Sequence, residues 1–516
     1  MAGKYLNNGR NDGEDLLNSP GYSDLQARSA NRAANQSSRK KKKRRPKWQR
    51  VLRRYWPPIR FGLLCLLLIL VLFFAIKFIV SLFPGGDDKN DPKETTASTT
   101  LPPETLSQEE IQTQIDDLFK QADTMAAGYD YLGAIKLIKA SEHYDPASEV
   151  FSTKIAAYEA EDAKLISYPK MNEITHVFFH SLIVDNDRCF DGDYTEKGYN
   201  LYMTTISEFN KMMEIMYERG YVLVSPYDVA YEVTDETGTH FTYGDIRLPE
   251  GKIPFIMSQD DVNYYGYMIG DPDPDYIRPA VPYANGDGFA HKIVIGEDGY
   301  PTCEYMDAQG NITTGDYDLV PLLEKFIQEH PDFSYHGARA VLGMTGYEGV
   351  FGYRTKPAYE EEMGTEAYKK EVEQAKAVAQ CLRDHGWVLA SHSYGHPSYG
   401  EISAEKVASD VQKWEDTVES IIGECDIILY PNGSDVAGIN KYTMDNEKFK
   451  AMYDSGLRYF FNVDSAVAWC QLGDDYFRGG RRNLDGFRMY NQPHLLEDLF
   501  PVEDVFDPDR PTPIGY

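Results

Sequence analysis

Cysteine is scarce in this chain of 516 residues: there are six, and no two form a CxxC pair. One, Cys65, sits in an apolar run, and the others (Cys189, Cys303, Cys381, Cys425 and Cys470) are widely scattered. Five scattered cysteines beyond the apolar run, an odd number, do not make a disulfide framework, and no bridge is expected. Positive charge is missing from most of the chain. The net charge is -29, yet residues 1–60 carry 16 Lys and Arg against 4 Asp and Glu, which leaves -41 for the remainder. So acidic a body excludes nucleic-acid binding as its function. Long apolar runs are absent with one exception, FGLLCLLLILVLFFAIKFIVSLF at 61–83, interrupted only by Lys77. It is long enough to cross a bilayer as one helix.

What is present is ordered along the chain. RKKKKRRPKWQRVLRRYWPPIR precedes the apolar run and GGDDKNDP follows it. The positive-inside rule therefore puts residues 1–60 in the cytoplasm as a disordered basic tail and the acidic bulk outside. No small-residue cleavage site follows, so a retained plasma-membrane anchor is expected rather than a cleaved signal, and the basic residues beside it suit lipid headgroups. Residues 84–106 have the Pro, Thr and acidic bias of an extended tether. Over 107–165 apolar residues recur at helical spacing, as in Ile111, Ile115, Leu118 and Phe119 and again in Leu132, Ile135 and Ile138. The segment AAGYDYLGAIKLIKASEHYDP resembles one helix pair of a tetratricopeptide repeat. A lone pair cannot bury its own face, so a helical, TPR-like stalk packing on something else is expected.

From about residue 170 to 516, short apolar strands (ITHVFF, YVLVS, IPFIMS, ARAVLGM, WVLAS, DIILYP, LRYFFNV) alternate with amphipathic helices. This α/β alternation implies a parallel sheet covered by helices, and six or seven repeats imply a closed or nearly closed (β/α) barrel. Such folds place their chemistry at the carboxyl ends of the strands. Residues 266–318 break the rhythm with turn residues and short β-like pieces, and read as an insertion.

Several strands end in potential ligands: VFFHS in His180, IMSQDD in Asp260 and Asp261, VLASHSYGH in His392 and His396, and IILYPNGSD in Tyr430, Asn432 and Asp435. Adjacent carboxylates at a strand end repel each other and lose hydration, so a solvated turn, a donor or a cation must compensate them. Two histidines four apart can bring both imidazoles to one side of a turn, where they either converge on a divalent cation or are satisfied by backbone and solvent. With one carboxylate they make a three-ligand site of the catalytic zinc kind, and the second carboxylate can then accept the proton of an attacking water. Ser393 lacks triad partners and reads as a loop-shaping hydroxyl. Tyr264, Tyr265 and Tyr394 either stack on sugar rings or pack at the barrel rim.

Together, Phe179-His180, SQDDV, the complete HSYGH and LYPNG, in that order, resemble the polysaccharide deacetylase family (NodB-homology, carbohydrate esterase family 4) over about 174–489. The resemblance implies a distorted (β/α) barrel and metal-dependent removal of acetyl groups, a hydrolase acting on non-peptide C–N bonds. It assigns Asp261, His392 and His396 to a divalent metal, Zn2+ by donor type, and Asp260 to the general base. Tyr264, Tyr265, Tyr394, Tyr430 and Asn432 become candidates for contact with substrate, an acetylated amino-sugar polysaccharide or peptidoglycan.

The chain departs from the family's motifs at defined places. Val262 replaces the glycine after the acid pair, and Ser258-Gln259 replaces Thr-Phe. Leu429 stands where the family has the arginine that orients its base, leaving Arg478, Arg481 and Arg482 in RGGRRNLDGFR as cations that could replace it. The late Leu-x-His motif that supplies the acid has no match; His494 by order and His180 by its place at a strand end are the candidates. Asp464 and Trp469 fall near the family's Asp-Trp motif with altered spacing. If those gaps mark lost activity, the barrel is instead a silent glycan-binding or envelope scaffold protein.

Overall fold

In a computed structural model, which describes residues 107–269, 286–463 and 468–515, the strand-helix alternation forms a ring. Its strands are β1 Thr175–Phe179, β2 Tyr221–Leu223, β3 Ile253–Gln259, β4 Val341–Met344, β5 Val388–Ser391, β6 Ile427–Leu429, β7 Tyr459–Val463 and β8 Phe477–Asn483. They run parallel in the order β4-β5-β6-β7-β8-β1-β3, and β3 pairs back to β4, which closes a barrel of seven. β2 pairs only with the first half of β3, from Ile253 to Phe255, and β4 takes over that edge at Ser258 and Gln259. The barrel is thus sealed at its carboxyl end and irregular at its amino end.

Alternation along each strand sorts side chains into two cores. Ile256, Val341, Ala390, Ile427, Leu429, Phe461 and Phe477 belong to one. Val177, Phe179, Met257, Leu342 and Leu389 face the other way and pack with helix residues such as Phe209, Met212, Leu323 and Val378.

Three helices, α1 Gln108–Ala127, α2 Tyr131–Ala140 and α3 Glu149–Asp162, precede the barrel. Ala122, Ala126, Ala134, Ile138, Phe151 and Ile155 form their own core. Asp130 closes the α1–α2 turn, its carboxylate capping the Gly133 amide of α2 at 2.8 Å; a Cβ at Gly133 would displace that carboxylate, 2.1 Å away. The same turn docks on the barrel unit. Tyr129 stacks on Tyr335 and donates to the Asp332 carbonyl at 2.9 Å, while Arg247 forks onto Asp162 at 2.9 and 3.2 Å.

The covering helices that matter below are α4 Ile206–Glu218, α5 Leu319–Glu329, α6 Thr365–Asp384, α7 Ala404–Trp414 and α8 Glu447–Ser455. α4 opens with a capping box between Thr205 and Glu208. Glu208 is also the buried partner of Arg510, with Nε to Oε1 at 2.6 Å and Nη2 to Oε2 at 2.7 Å, which fastens the last segment of the chain to the barrel. Arg510→Ala strands a buried carboxylate and is expected to lower the unfolding free energy by about 3–5 kcal/mol. Urea denaturation checks this; a loss no greater than the roughly 1 kcal/mol of a surface pair would contradict it.

The insertion carries a three-stranded antiparallel sheet at Lys292–Ile295, Pro301–Met306 and Ile312–Gly315. Cys189, Cys303, Cys381, Cys425 and Cys470 are all free thiols, in keeping with the scattered spacing. The basic tail, the apolar run at 61–83 and the tether lie outside the described residues; among those described, no helix is long and apolar enough to cross a membrane.

Candidate metal centre and acid pair at the barrel mouth

β3 ends at Gln259 and delivers Asp260 and Asp261 to the carboxyl mouth of the barrel, while β5 ends at Ser391 and delivers His392 and His396. Ligand atoms of Asp261, His392 and His396 lie within 4.8 Å of one another, and all three residues are buried. Asp261, Ser393 and His396 have φ of 58°, 63° and 49°, a left-handed conformation that each side chain makes costly. Such strain persists only where the surroundings impose it, and here they do. Asp410 on α7 accepts from the Tyr394 and Gly395 amides at 2.8 and 2.9 Å, clasping the loop between the histidines. Asn263 exchanges hydrogen bonds with the Thr345 backbone at 3.0 Å and also donates to Gly349, clasping the loop after the acids.

Val262 fits where a glycine could stand, because the left-handed residues in this loop are Asp261 and Tyr264, at φ 58° and 50°, and not Val262. Val262 itself is fully buried and its backbone bonds to Gly343 and Phe351, both at 3.0 Å.

The donor set suits a divalent cation such as zinc. The Leu429 carbonyl, 2.8 Å from His392 Nδ1, can only accept; it places the proton on Nδ1 and leaves the Nε2 lone pair free. Tyr265 donates to Asp261 Oδ1 at 2.6 Å, which fixes the carboxylate's orientation. His396 Nδ1 is buried without a hydrogen-bond partner. Burial drives the His396 pKa down to about 4, against the pull of Asp261, so its ring is neutral and can ligate. Burial would raise the Asp261 carboxyl, but His396 and His392 hold it below its ordinary value.

Asp260 is outside this cluster, with Oδ2 3.9 Å from His392 Nε2. Arg481 grips it bidentately, Nη1 to Oδ1 at 2.6 Å and Nη2 to Oδ2 at 2.9 Å, with the arginine side chain fully buried. Burial alone would raise the Asp260 carboxyl, but Arg481 above all, and then His392, keep it well below the usual carboxylate range and ionised. Where Leu429 of β6 offers Asp260 no cation, β8, two strands from β3 around the ring, supplies one in Arg481. Arg481 is further held by Ser258 at 3.2 Å, and Ser258 lies 3.0 Å from His176 Nε2. Leu429 fills the space beside Gly343, where an added Cβ would lie 2.9 Å from its Cδ1. Arg478 and Arg482 point to the opposite face of β8, toward Asp435 and Asp498 respectively.

The remaining candidates divide. His180 is half-buried just past β1, and its charge bears on both Asp260 and Asp261. His494 does not belong to this site: it lines a cavity with Thr175, Tyr221 and Ile253, the first residues of β1, β2 and β3, at the other end of the barrel. Sequence order alone suggested it, and order carries no end. Tyr264 and Tyr430 are not available to a sugar either. Both are fully enclosed, Tyr264 donating to Asp318 at 2.6 Å and Tyr430 bonded to Tyr442 at 2.9 Å, because their rings complete the cores under the mouth. Tyr265 is buried against Asp261. Tyr394, packed on Gly346, and Asn432, with φ of 55°, stay half-buried. Asp464 lies outside the described residues, and Trp469 sits 5.4 Å from Arg478 rather than over the acids.

Residues 365–456, which hold both histidines and the PNG turn after β6, match the family model described as polysaccharide deacetylase. None of the curated proteins matches the chain. Among solved structures, the chain is similar to the Streptococcus pyogenes deacetylase PplD in complex with acetate, at 14% identity and a TM-score of 0.33, over 64% of this chain and 98% of that one. The segment that carries the two histidines is therefore similar to polysaccharide deacetylases.

Proposed function

We propose that this chain is a metal-dependent deacetylase that removes acetyl groups from an N-acetylated cell-wall or extracellular polysaccharide. The observation that carries the reading is the buried Arg481 fork on Asp260, set 3.9 Å from a ligand histidine of the Asp261, His392 and His396 cluster. Those three residues would hold the cation, Zn2+ by donor type. Bound there, it would polarise the acetyl carbonyl and make water more acidic. Asp260, fixed by Arg481, takes the proton as water oxygen bonds to the carbonyl carbon. His180 then gives a proton to the amine as the C–N bond breaks, leaving acetate and a free amino sugar. Tyr394 and Asn432 are the groups left at the mouth to meet the glycan.

An anchor formed by the apolar run at 61–83 would keep the chain at the outer face of the plasma membrane, with the TPR-like segment following it in sequence. A silent scaffold drew its support from the absent arginine and the absent acid motif; the Arg481 fork on Asp260 speaks against the first of these. The reading is tested by adding the zinc-loaded full chain to N-acetylglucosamine oligomers and to peptidoglycan and measuring acetate; none from either sinks it. His180→Gln is expected to lower kcat by about 100- to 10,000-fold, the range of a general acid, with metal content unchanged. An unaltered kcat would remove His180 from the mechanism.

A further inference from the structure

The two flanks of the acid pair meet at a residue that belongs to none of the motifs. Asp318 is fully buried where the insertion ends and α5 begins. Although it stands at the N-cap of that helix, its side chain makes no cap bond there. It instead accepts from the Leu182 amide at 2.9 Å, from Gln259 Nε2 at 3.0 and 2.9 Å, and from the Tyr264 hydroxyl at 2.6 Å. The Leu182 amide and the Gln259 NH2 can only donate, which suits an ionised carboxylate; burial pushes the Asp318 carboxyl up, and Tyr264, Leu182 and Gln259 pull against it. Leu182 lies just past His180, Gln259 immediately before Asp260, and Tyr264 shortly after Asp261. Gln259 also reaches the His180 carbonyl at 3.4 Å.

From this convergence we infer that Asp318 is a positioning residue, which sets the spacing between His180 and the Asp260–Asp261 pair by clamping the three segments that carry them. A generic packing role would leave its charge dispensable. The clamp needs the charge, because an amide of the same shape offers one acceptor oxygen and turns its NH2 toward other donors. Gln259, where the family has an aromatic residue, then has a purpose: its amide passes the grip of Asp318 to the residue next to the base.

The inference rests on the deacetylase reading for its rate effect but not for its metal effect, so the test has two arms. In the full chain, Asp318→Asn is expected to weaken Co2+ binding about 10-fold and to change the visible absorption of the bound Co2+, the size of effect seen when a supporting hydrogen bond to a metal site is lost. On N-acetylglucosamine oligomers it is expected to lower kcat by about 10- to 100-fold with KM unchanged. Tyr264→Phe keeps the ring in its core and removes one donor; it is expected to move both readouts in the same direction by less, and covers the case of an Asn variant that does not fold. If both variants match the parent in Co2+ affinity, spectrum and kcat while only their melting temperature falls, Asp318 is structural and the inference is overturned. A parent chain that binds no Co2+ overturns the reading beneath it as well.

Discussion

Arg481→Met is expected to cut the deacetylation rate by about 100- to 1,000-fold, the cost of losing a fixed electrostatic partner in a water-excluded site. The side chain is fully buried and forks onto both oxygens of Asp260, so its removal leaves a buried carboxylate with no paired charge. Burial, then opposed only by His392 and His180, raises the Asp260 carboxyl and weakens the ionised acceptor. Arg481→Lys restores the charge but only as a point donor, and recovers little of the rate. Both variants are to be assayed at matched zinc content, with folding followed by near-ultraviolet circular dichroism. A folded, zinc-loaded Arg481→Met with the parent's kcat would show that the fork is ornamental.

Removing a ligand should act differently. His396→Gly is expected to weaken zinc binding by more than about 100-fold, beyond the effect of an outer-shell change, and to bring acetate release to background. Glycine is the informative choice. His396 sits at φ 49°, where glycine has no Cβ penalty, so the substitution isolates the lost imidazole from backbone strain. Competition with a chromophoric chelator gives the affinity. Retained zinc at parental affinity would mean that Asp261 and His392 suffice, or that the ion sits elsewhere.

The barrel and the grouping of Asp261, His392 and His396 were legible in the sequence because their signals are local. Strands and helices alternate visibly, and the His-x-x-x-His spacing and the paired acids each fall within one loop. Arg481 was only one of three choices because RGGRRN, with two glycines, reads as a loop. It is a strand, and the period of two settles the matter: Arg481 turns toward Asp260, while Arg478 and Arg482 share the other face. The tyrosines misled for the opposite reason. Proximity to a motif in sequence does not give the direction of a ring, and Tyr264 and Tyr430 point down into packed cores. Asp318 and Asp410 could not be seen at all. They lie 59 residues from Gln259 and 16 from Tyr394, and only the folded barrel brings them together.

The most direct test compares the parent chain with Asp260→Asn, both loaded with zinc, on N-acetylglucosamine oligomers, by counting acetate released and amines exposed. The account predicts equal numbers of each from the parent, and from the variant equal zinc with a rate lower by about 100- to 10,000-fold, the contribution of a general base. Equal rates from the two proteins, or no acetate from a parent that holds zinc, would contradict it.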